Sequence, residues 1–407
     1  MKTRVAVIGG GAGGFFSAIS VKHHHPEAHV TIHEKSAKLL SKVKISGGGR
    51  CNVTNGTDSI RILAEAYPRG SKQLRKLFGT FNNQHTMQWF EERGVPLVTQ
   101  DDLCVFPVSQ DSQSIIDCFL TEANQLGIEI KTKSGVSELI EKGEQIELSF
   151  IGDDAPKLYD KVIVATGGSP KMSGLHWLEK RGHHISLPVP SLFTFNMPSE
   201  SITELMGIVV ENAIVKIQGT KLRGDGPLLV THWGMSGPAV LKLSSFGARI
   251  LSEMNYQCVA QVNWVNEVNV DVVSNRLRQL QQEHPNKQLV NARLLEIPIR
   301  LWVFLLEKCD IPKETTWSQM GKKPFNKLLN ILTNDEYSVS GKTTFKEEFV
   351  TCGGVSLESI NMKTMESKAL PNLYFTGEVI DIDGITGGYN FQAAWTTAFI
   401  AGKLMKL

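Results

Sequence analysis

Glycine-rich segments at both ends of the chain place backbone amides where side chains cannot obstruct them. The first, VAVIGGGAGG at residues 5–14, has the spacing Gly-x-Gly-x-x-Gly between an apolar predicted strand and a predicted helix. Gly9 permits a tight turn, Gly11 lets the backbone approach a phosphate, and Gly14 lets the helix pack closely on the strand. Because the N-terminus of that helix would face the anion, the segment predicts a pyrophosphate site.

An acidic residue lies where a dinucleotide site needs one. Glu34 follows the predicted strand at residues 29–33 and comes 20 residues after Gly14. A carboxylate at this spacing accepts hydrogen bonds from the ribose hydroxyls of an adenine dinucleotide. A solvated surface carboxylate is the alternative, but the strand context favours adenine-dinucleotide binding.

The segment SGGGRCNVTN at residues 46–55 combines three adjacent glycines with a cation and two amides. Such a loop can offer backbone N–H groups to a phosphate or to a flavin ring. Arg50 adds a fixed positive charge, and Asn52 adds a carbonyl and an amide. In a structural loop the same residues would only cap turns; we favour the binding interpretation.

The segment TGEVIDIDGITGGYN at residues 376–390 ends where a helix is predicted to begin. Gly387, Gly388 and Tyr389 would place backbone donors at a helix N-terminus, which carries a positive partial charge. A reduced flavin accumulates negative charge around N1 and C2=O, and such a helix end stabilises that charge without a titrating side chain. Because this segment is remote in sequence from residue 14, the two ends of the chain are predicted to hold the two ends of one FAD.

Three side chains are candidates for the chemical step. His232, in the sequence Thr-His-Trp-Gly, can titrate near neutral pH and act as an acid or base, with a structural hydrogen-bonding role as the alternative. Cys51 could be a redox thiol beside the flavin, although the sequence offers no resolving partner. Tyr389 could cover a flavin face or donate a proton, with core packing as the alternative. The sequence shows no Ser-His-Asp order and no metal-spaced set, so no metal is predicted.

The composition is that of an ordinary globular protein of two or three domains, with 407 residues of which 41% are hydrophobic. A formal net charge of +2 gives no argument for a nucleic-acid or membrane partner. No apolar run approaches the roughly 18 residues that span a bilayer. Six scattered cysteines without a Cys-x-x-Cys pair indicate neither a zinc site nor a redox pair. We therefore expect a cytoplasmic protein.

The order of predicted elements indicates a doubly wound α/β sheet interrupted by an insertion. Residues 1–188 and 352–407 are predicted to form a discontinuous FAD-binding domain. Residues 189–270 and 337–351 are predicted to form an inserted β domain, because short β-like segments alternate there with glycine-bearing turns. Residues 271–336 show helical periodicity and are predicted to form a nested helical subdomain.

Several blocks taken together resemble one family of proteins. They are VAVIGGGAGG, KISGGGRCNVTN, VFPVS at 105–109, VIVATGGSP, LLVTHWGMSGP at 228–238, TCGGV, TMESK at 364–368 and GEVIDIDGITGGYNFQAAW. Over nearly its whole length the chain resembles the bacterial BaiN/RdsA-type family of FAD-dependent flavoproteins, which includes aminoacetone oxidase and 3-dehydro-bile-acid Δ4,6-reductase-like enzymes. The resemblance implies a two-dinucleotide-binding-domain-type, Rossmann-like FAD domain made from both chain ends, with a β-barrel-like insert and a nested helical subdomain.

The resemblance also implies which residues hold FAD. The ADP half would lie against Gly9, Gly11, Ala12, Gly13, Gly14, Glu34 and Lys35, with Val136 reaching adenine through its backbone. The path toward the flavin would follow Lys42, Ser46, Gly48, Gly49, Arg50, Cys51 and Asn52, and then Ala165, Thr166 and Gly167. The ribityl and pyrimidine end would be completed by Gly377, Glu378, Asp381, Gly387, Gly388, Tyr389, Asn390 and Gln392.

The expected function is hydride transfer between flavin N5 and a small or medium organic substrate held between the FAD and insert domains. A reductase for a C=C bond conjugated to a carbonyl is the first expectation, with NAD(P)H docking transiently because the inserted region has no second Gly-x-Gly-x-x-Gly. The alternatives are an oxygen-dependent, aminoacetone-type amine oxidase and a non-catalytic flavin module that senses redox state. A flavin-dependent RNA-modifying enzyme is a further alternative, against which the near-neutral charge speaks. No nucleic acid or membrane partner is expected, and monomer and homodimer stay open.

Overall fold

The computed structural model describes residues 2–152, 155–343 and 350–405. The chain forms two compact units, the first from Met1–Ser191 with Lys346–Leu407 and the second from Leu192–Phe345. The sequence placed these two transitions at 188/189 and 351/352. The chain therefore leaves the first unit once and returns to it once.

The elements are numbered along the chain. The strands are β1 Arg4–Ile8, β2 His29–His33, β3 Thr54–Asn55, β4 Leu97–Thr99, β5 Cys104–Pro107, β6 Glu129–Lys131, β7 Val136–Lys142, β8 Gln145–Phe150, β9 Lys157–Tyr159, β10 Lys161–Val164, β11 Ile185–Ser191, β12 Thr194–Asn196, β13 Val209–Ile217, β14 Arg223–Thr231, β15 Gly234–Ser236, β16 Gln257–Asn263, β17 Asp335–Ser340, β18 Lys342–Thr343, β19 Val350–Val355, β20 Ile360–Asn361, β21 Glu366–Ser367 and β22 Leu373–Phe375. The helices are α1 Ala12–His24, α2 Ser41–Ile45, α3 Ile60–Glu65, α4 Ser71–Leu77, α5 Asn83–Glu91, α6 Gln113–Gln125, α7 His176–Glu179, α8 Pro238–Phe246, α9 Ala248–Glu253, α10 Val270–Glu283, α11 Ile299–Lys308, α12 Lys322–Thr333 and α13 Tyr389–Ala401. Within the described ranges, none of these helices has the length and apolar character needed to cross a membrane.

The first unit is organised around a seven-stranded sheet with the order β20-β21-β22-β10-β1-β2-β6. Strands β22, β10, β1, β2 and β6 are parallel, and β20 and β21 extend the sheet by antiparallel pairing. The last four residues of β1 are buried, as expected for a parallel strand covered on both faces. The carboxyl ends of the parallel strands meet at one edge, where sheets of this kind bind ligands. The predicted Rossmann-like fold is confirmed.

Aromatic side chains join the N-terminal and C-terminal parts of the first unit. Phe16 on α1 packs against Trp395 on α13 with ring centroids 5.4 Å apart, and Phe119 on α6 lies 5.5 Å from Trp395. Trp89 and Phe90 on α5 each lie 5.6 Å from Phe119. This cluster fixes α13 against α1, although more than 360 residues separate them in sequence.

Smaller sheets complete the first unit. β7, β8 and β9 form one three-stranded antiparallel sheet, and β3, β5 and β4 form another. β11 pairs antiparallel with β19. Because β11 ends at the last residue before the second unit and β19 follows that unit, this pair lies where the chain leaves and re-enters.

The second unit has an antiparallel sheet with the order β17-β16-β13-β14-β15-β12-β18. Helices α10, α11 and α12 contribute to the same hydrophobic core as this sheet, for example through Leu277, Leu301 and Leu328 packed in one cluster with Val215. The predicted helical subdomain 271–336 therefore shares its core with the inserted β domain.

A buried carboxylate anchors the core of the second unit. Asp335 is 1% exposed and accepts hydrogen bonds from Trp264 Nε1 at 3.0 Å and Tyr337 Oη at 2.5 Å. Lys308 Nζ lies 2.5 Å from the other carboxylate oxygen. Every polar atom of this cluster thus has a partner, which is what makes its burial tolerable.

Removing the Phe119 ring is expected to destabilise the first unit strongly. Phe119→Ala should lower the free energy of unfolding by about 3–5 kcal/mol, because the ring is fully buried among other aromatic rings and leaves a cavity. Urea unfolding followed by tryptophan fluorescence measures this loss. Leu295→Ala, at a side chain that is 84% exposed, is the control and should change stability by less than about 0.5 kcal/mol. A loss for Phe119→Ala as small as the control's would contradict the role of the aromatic cluster.

Candidate functional site

The first glycine segment forms the turn between β1 and α1. A Cβ on Gly9, whose φ is 115°, would overlap the carbonyl oxygen of Ala165, and a Cβ on Gly14 would overlap the carbonyl oxygen of Gly9. A Cβ on Gly11 would meet nothing within 4 Å. Helix α1 begins at Ala12 without a side-chain cap. Glycine is thus needed for packing at positions 9 and 14, whereas Gly11 faces open space beside uncapped amides.

Glu34 lies at the end of β2, beside this turn. Its carboxylate accepts hydrogen bonds from the backbone N–H of Gly10 at 2.7 Å and of Ser36 at 2.8 Å, one on each oxygen. A carboxylate oxygen accepts more than one bond, so Glu34 is held in place and still has lone pairs for ribose hydroxyls. Lys35 is exposed, and Val136 is partly buried in β7.

The second glycine segment follows α2 and reverses the chain through a tight turn, Ser46–Gly49. Gly48 and Gly49 have φ values of 68° and 86°, and a Cβ on either would meet nothing within 4 Å. The Arg50 guanidinium lies 4.1 Å from the centroid of the Phe106 ring and donates a hydrogen bond to the Gly47 carbonyl at 3.2 Å. The loop therefore exposes backbone next to a cation that is fixed in position.

Cys51 is fully buried, with a left-handed backbone φ of 62°. Burial raises the pKa of its thiol to about 12, although a hydrogen bond with Ser46 opposes the shift. The thiol is therefore protonated at neutral pH, which speaks against the redox role considered for it. Ser46 also donates to the Val43 carbonyl at 2.9 Å, and Asn52 Oδ1 accepts from the backbone N–H of Val105 at 3.3 Å.

An ion pair joins α2 to the third segment. Lys42 Nζ lies 2.6 Å from Glu378 Oε2, and Glu378 Oε1 accepts a hydrogen bond from the backbone N–H of Thr351 at 2.9 Å. The Thr351 hydroxyl is buried and has no hydrogen-bond partner among the residues that the structure describes. A Cβ on Gly168 would lie 2.6 Å from this hydroxyl. Thr351, the first residue of the TCGGV block, was not among the predicted site residues.

The strand end after β10 adds backbone to the same edge of the sheet. The Ala165 N–H donates to the Ile8 carbonyl at 2.8 Å, Thr166 is exposed, and Gly167 has a φ of 75° with open space where a Cβ would be. Gly167 is thus a further position at which bare backbone faces open space.

The third glycine segment ends at the start of α13. Gly387 and Gly388 have φ values of 117° and 85°, and α13 begins at Tyr389 with no side-chain cap. The Asn390 side chain accepts from the Gly384 N–H at 2.9 Å and donates to the Gly384 carbonyl at 3.0 Å. The amides of the first turn of α13 thus keep the donor capacity and partial positive charge of a helix N-terminus.

Two other residues predicted for this end of the cofactor lie in the interior. Gln392 is fully buried, its Oε1 accepts from the Thr54 and Thr86 hydroxyls at 2.6 and 2.9 Å, and its Nε2 donates to Thr396. Asp381 is buried. The Gln392 amide therefore holds α13 against β3 and α5.

The structure brings all three glycine segments together. A Cβ on Gly13 would lie 3.8 Å from Gly377 Cα, and a Cβ on Gly388 would lie 2.7 Å from Asn52 Oδ1. In the first two segments and at the β10 strand end, a Cβ would meet only open space at four positions: Gly11, Gly48, Gly49 and Gly167. We call the open space beside these four positions the groove. Bare backbone facing open space, together with Glu34 and the uncapped start of α13, fits an adenine dinucleotide cofactor.

The two remaining catalytic candidates lie in different units. His232 is exposed, in the turn between β14 and β15 of the second unit, and its ring lies 4.5 Å from the Trp233 ring. Tyr389 is partly buried at the start of α13 in the first unit. Burial, followed by the nearby Cys104 and Asp102, raises the pKa of Tyr389 to about 12. The phenol is therefore protonated at neutral pH.

A family model described as the HI0933-like protein Rossmann domain matches residues 3–404. The chain belongs to the HI0933-like family. It is 29% identical to the ribosomal RNA dihydrouridine synthase of Escherichia coli K12, over 98% of this chain and 96% of that protein. It is 25% identical to the 3-dehydro-bile acid delta(4,6)-reductase of Clostridium scindens, over 98% of each chain. The resemblance drawn from the sequence blocks is confirmed.

Solved structures agree with this membership at the level of the fold. The FrdA subunit of E. coli quinol fumarate reductase matches with a TM-score of 0.51 and 13% identity, over 99% of this chain and 69% of that one. The 3-ketosteroid delta1-dehydrogenase of Sterolibacterium denitrificans matches with a TM-score of 0.51 and 11% identity, over 98% of each chain. These matches show the fold alone. As a member of the HI0933-like family, the chain is an FAD-dependent oxidoreductase.

Substitutions at two glycines separate binding from packing. Gly11→Val should leave the thermal stability of the apoprotein unchanged but raise the dissociation constant of FAD at least about 100-fold, because its side chain would fill the groove and cover the amides. Gly14→Ala should instead destabilise the apoprotein, because its Cβ overlaps the Gly9 carbonyl. Fluorescence titration with FAD and thermal unfolding measure the two effects. Normal FAD affinity in Gly11→Val would exclude the groove as the pyrophosphate site.

The raised pKa of Cys51 predicts an inert thiol. At pH 8 the native protein should leave Cys51 unmodified by iodoacetamide, because the site is buried and its pKa of about 12 leaves almost no thiolate. After denaturation the same residue should react fully. Peptide mass spectrometry measures the modified fraction, and labelling of native Cys51 would restore the redox-thiol hypothesis.

Proposed function

We propose that the protein reduces a carbon–carbon double bond conjugated to a carbonyl group. The observation that carries the proposal is the start of α13, where Gly387 and Gly388 are left-handed and no side chain caps the helix. Bound FAD would supply the hydride from its N5 position. The first-turn amides of α13 would stabilise negative charge at the N1–C2=O edge of the reduced ring, without requiring a titrating group.

Tyr389 is the residue we propose as the proton donor. Hydride addition to one carbon of the double bond leaves a strongly basic carbon next to the carbonyl, and that carbon must take a proton. A phenol with a pKa of about 12 stays protonated at neutral pH and transfers its proton only to a base of this strength. His232, exposed in the second unit, is the competing candidate.

We propose NAD(P)H as the source of the hydride. The sequence has one Gly-x-Gly-x-x-Gly fingerprint, which forms the turn between β1 and α1 that we assign to FAD. The nicotinamide would therefore dock transiently, reduce FAD and leave. The balance is then complete, because one hydride from NAD(P)H and one proton from Tyr389, replaced from solvent, saturate one double bond.

Two substrate classes contain the required group, and the names of relatives support both. Dihydrouridine is uridine with its C5–C6 double bond saturated, and that bond is conjugated to a ring carbonyl; two relatives, at 29% and 27% identity, are named ribosomal RNA dihydrouridine synthase. A small or medium enone is favoured by the 3-dehydro-bile acid reductase relative and by the net charge of +2. That the protein has no nucleic-acid partner therefore stays a prediction, and assaying uridine in ribosomal RNA as a substrate tests it.

Anaerobic stopped-flow measurements with the holoenzyme test the proposal. NADH or NADPH should bleach the flavin within seconds, and a cyclic enone or ribosomal RNA lacking dihydrouridine should then restore its colour, with a product heavier by two hydrogens in mass spectrometry. Bleaching by an added amine in place of NAD(P)H, followed by recovery with oxygen and formation of hydrogen peroxide, would instead establish the amine oxidase alternative. Bleaching by neither nicotinamide would refute the NAD(P)H step.

The two acid candidates separate in the same experiment. Tyr389→Phe should slow flavin reoxidation by the active substrate about 100-fold or more, while the dissociation constant of FAD stays the same, because only the proton donor is lost. His232→Asn should leave both the rate of flavin reoxidation and the dissociation constant of FAD unchanged. The opposite pattern would transfer the role of acid to His232.

A further inference from the structure

One short segment contacts the loop in front of α13 at several points. Residues 66–70, with the sequence AYPRG, connect α3 to α4, and residues 382–389 form the loop that leads into α13. We call them the AYPRG segment and the 382–389 loop. Their sequence separation of about 300 residues gives no hint that they touch.

The contacts lie at four successive points of the two segments. A Cβ on Gly70 would lie 2.6 Å from the Ile382 side chain, so glycine allows the two backbones to approach. The Arg69 guanidinium forms a two-pronged ion pair with the Asp383 carboxylate, in which Nε lies 2.5 Å from Oδ1. The remaining two contacts are hydrogen bonds: the Ile385 N–H donates to the Ala66 carbonyl at 3.0 Å, and the Tyr67 hydroxyl donates to the Tyr389 carbonyl at 2.6 Å.

The ion pair between Arg69 and Asp383 is buried. The Asp383 side chain is fully buried and the Arg69 side chain is 12% exposed. The Ser191 hydroxyl donates to Asp383 Oδ2 at 2.7 Å, so the carboxylate accepts three bonds. A buried ion pair contributes little net stability, because desolvation offsets the attraction, but a planar fork holds one geometry. Its contribution is therefore to orientation.

The loop needs external contacts to keep one conformation. Gly387 and Gly388 have no side chains to pack, and both adopt left-handed backbone angles. Glycine also has wide conformational freedom in the unfolded chain, which must be lost when the loop becomes ordered. Helix α13 has no side-chain cap that would fix its first turn. The Asn390 side chain ties the loop only to itself, through Gly384. Tyr67, 2% exposed, instead holds the first residue of α13 from outside the loop.

We propose that the AYPRG segment positions the 382–389 loop toward FAD, with Arg69 and Tyr67 as positioning residues that favour the reduced over the oxidised cofactor. The inference rests on the proposed placement of the α13 N-terminus at the flavin. Donors held in one geometry stabilise an anion more than a neutral ring, because they pay no reorganisation when charge appears. Loosening the loop therefore weakens the binding of reduced FAD more than that of oxidised FAD.

Tyr67→Phe is the variant that tests this role, since it removes one hydroxyl and leaves the ring in the core. The dissociation constant of oxidised FAD should rise about threefold and that of reduced FAD about thirtyfold, so that their ratio changes about tenfold. By linkage, the flavin midpoint potential should then become about 30 mV more negative, since tenfold in a two-electron equilibrium corresponds to that shift. Titration of the apoprotein with FAD and spectroscopic redox titration of the holoprotein measure the two quantities.

Two series of variants control for a merely structural effect. Tyr337→Phe removes another buried tyrosine hydroxyl, bonded to Asp335 in the second unit, and should leave the potential and FAD affinity unchanged. Arg69→Lys keeps the charge but loses the fork, so its potential should lie between those of the wild type and Arg69→Met. Equal potentials in Tyr67→Phe, Tyr337→Phe and the wild type would overturn the positioning role.

Hydrogen exchange separates this inference from the proposed function beneath it. Addition of FAD to the wild-type apoprotein should slow amide exchange at residues 387–391, and the slowing should be smaller in Tyr67→Phe. No slowing in the wild type would refute the placement of the α13 N-terminus at the flavin, and the proposed function would lose its main support. If FAD slows exchange equally in the wild type and in Tyr67→Phe, only the positioning role of the AYPRG segment is overturned.

Discussion

Helix α1 can lie against β1 and the end of β10 only because positions 9 and 14 carry no side chain, and the remaining geometry of the first unit follows from that approach. With α1 in place, Phe16 reaches Trp395 and fixes α13 at the same end of the sheet. The Ser46–Gly49 turn and the Gly388 backbone then meet at Asn52. A close backbone contact in the first 14 residues thus determines where residues near 390 can offer their amides.

The sequence predicted those parts of the molecule that depend on local residue type. The Gly9–Gly14 turn, the glycines at 47–49 and the start of α13 each need backbone conformations or close approaches that few residues allow, so glycine marked them. The AYPRG segment escaped prediction because its role lies in contacts with residues 382–389, and ordinary residues such as Arg69 carry no such information in a single sequence. The bonds of the buried Gln392 amide with three threonine hydroxyls escaped prediction for the same reason, because Thr54 and Thr86 are remote from it in sequence.

The candidate site relies on fixed dipoles more than on free charges. Glu378 is paired with Lys42, and Glu34 is held by two backbone amides. Arg50 lies over Phe106 and bonds within its own loop. Groups that are already oriented do not need to reorganise when a cofactor changes charge. Such an arrangement suits a site that must hold both redox forms of one molecule.

The discontinuous first unit also has a consequence for how the chain is made. Residues 192–345 are contiguous, so the second unit can fold as soon as a ribosome has released them, whereas β22 emerges later than every other parallel strand of the central sheet. Until then one edge of β10 is unpaired, and its buried residues Val162, Ile163 and Val164 are available to other chains. Nascent chains stalled or truncated before residue 373 would therefore be aggregation-prone and would need protection by chaperones until synthesis is complete.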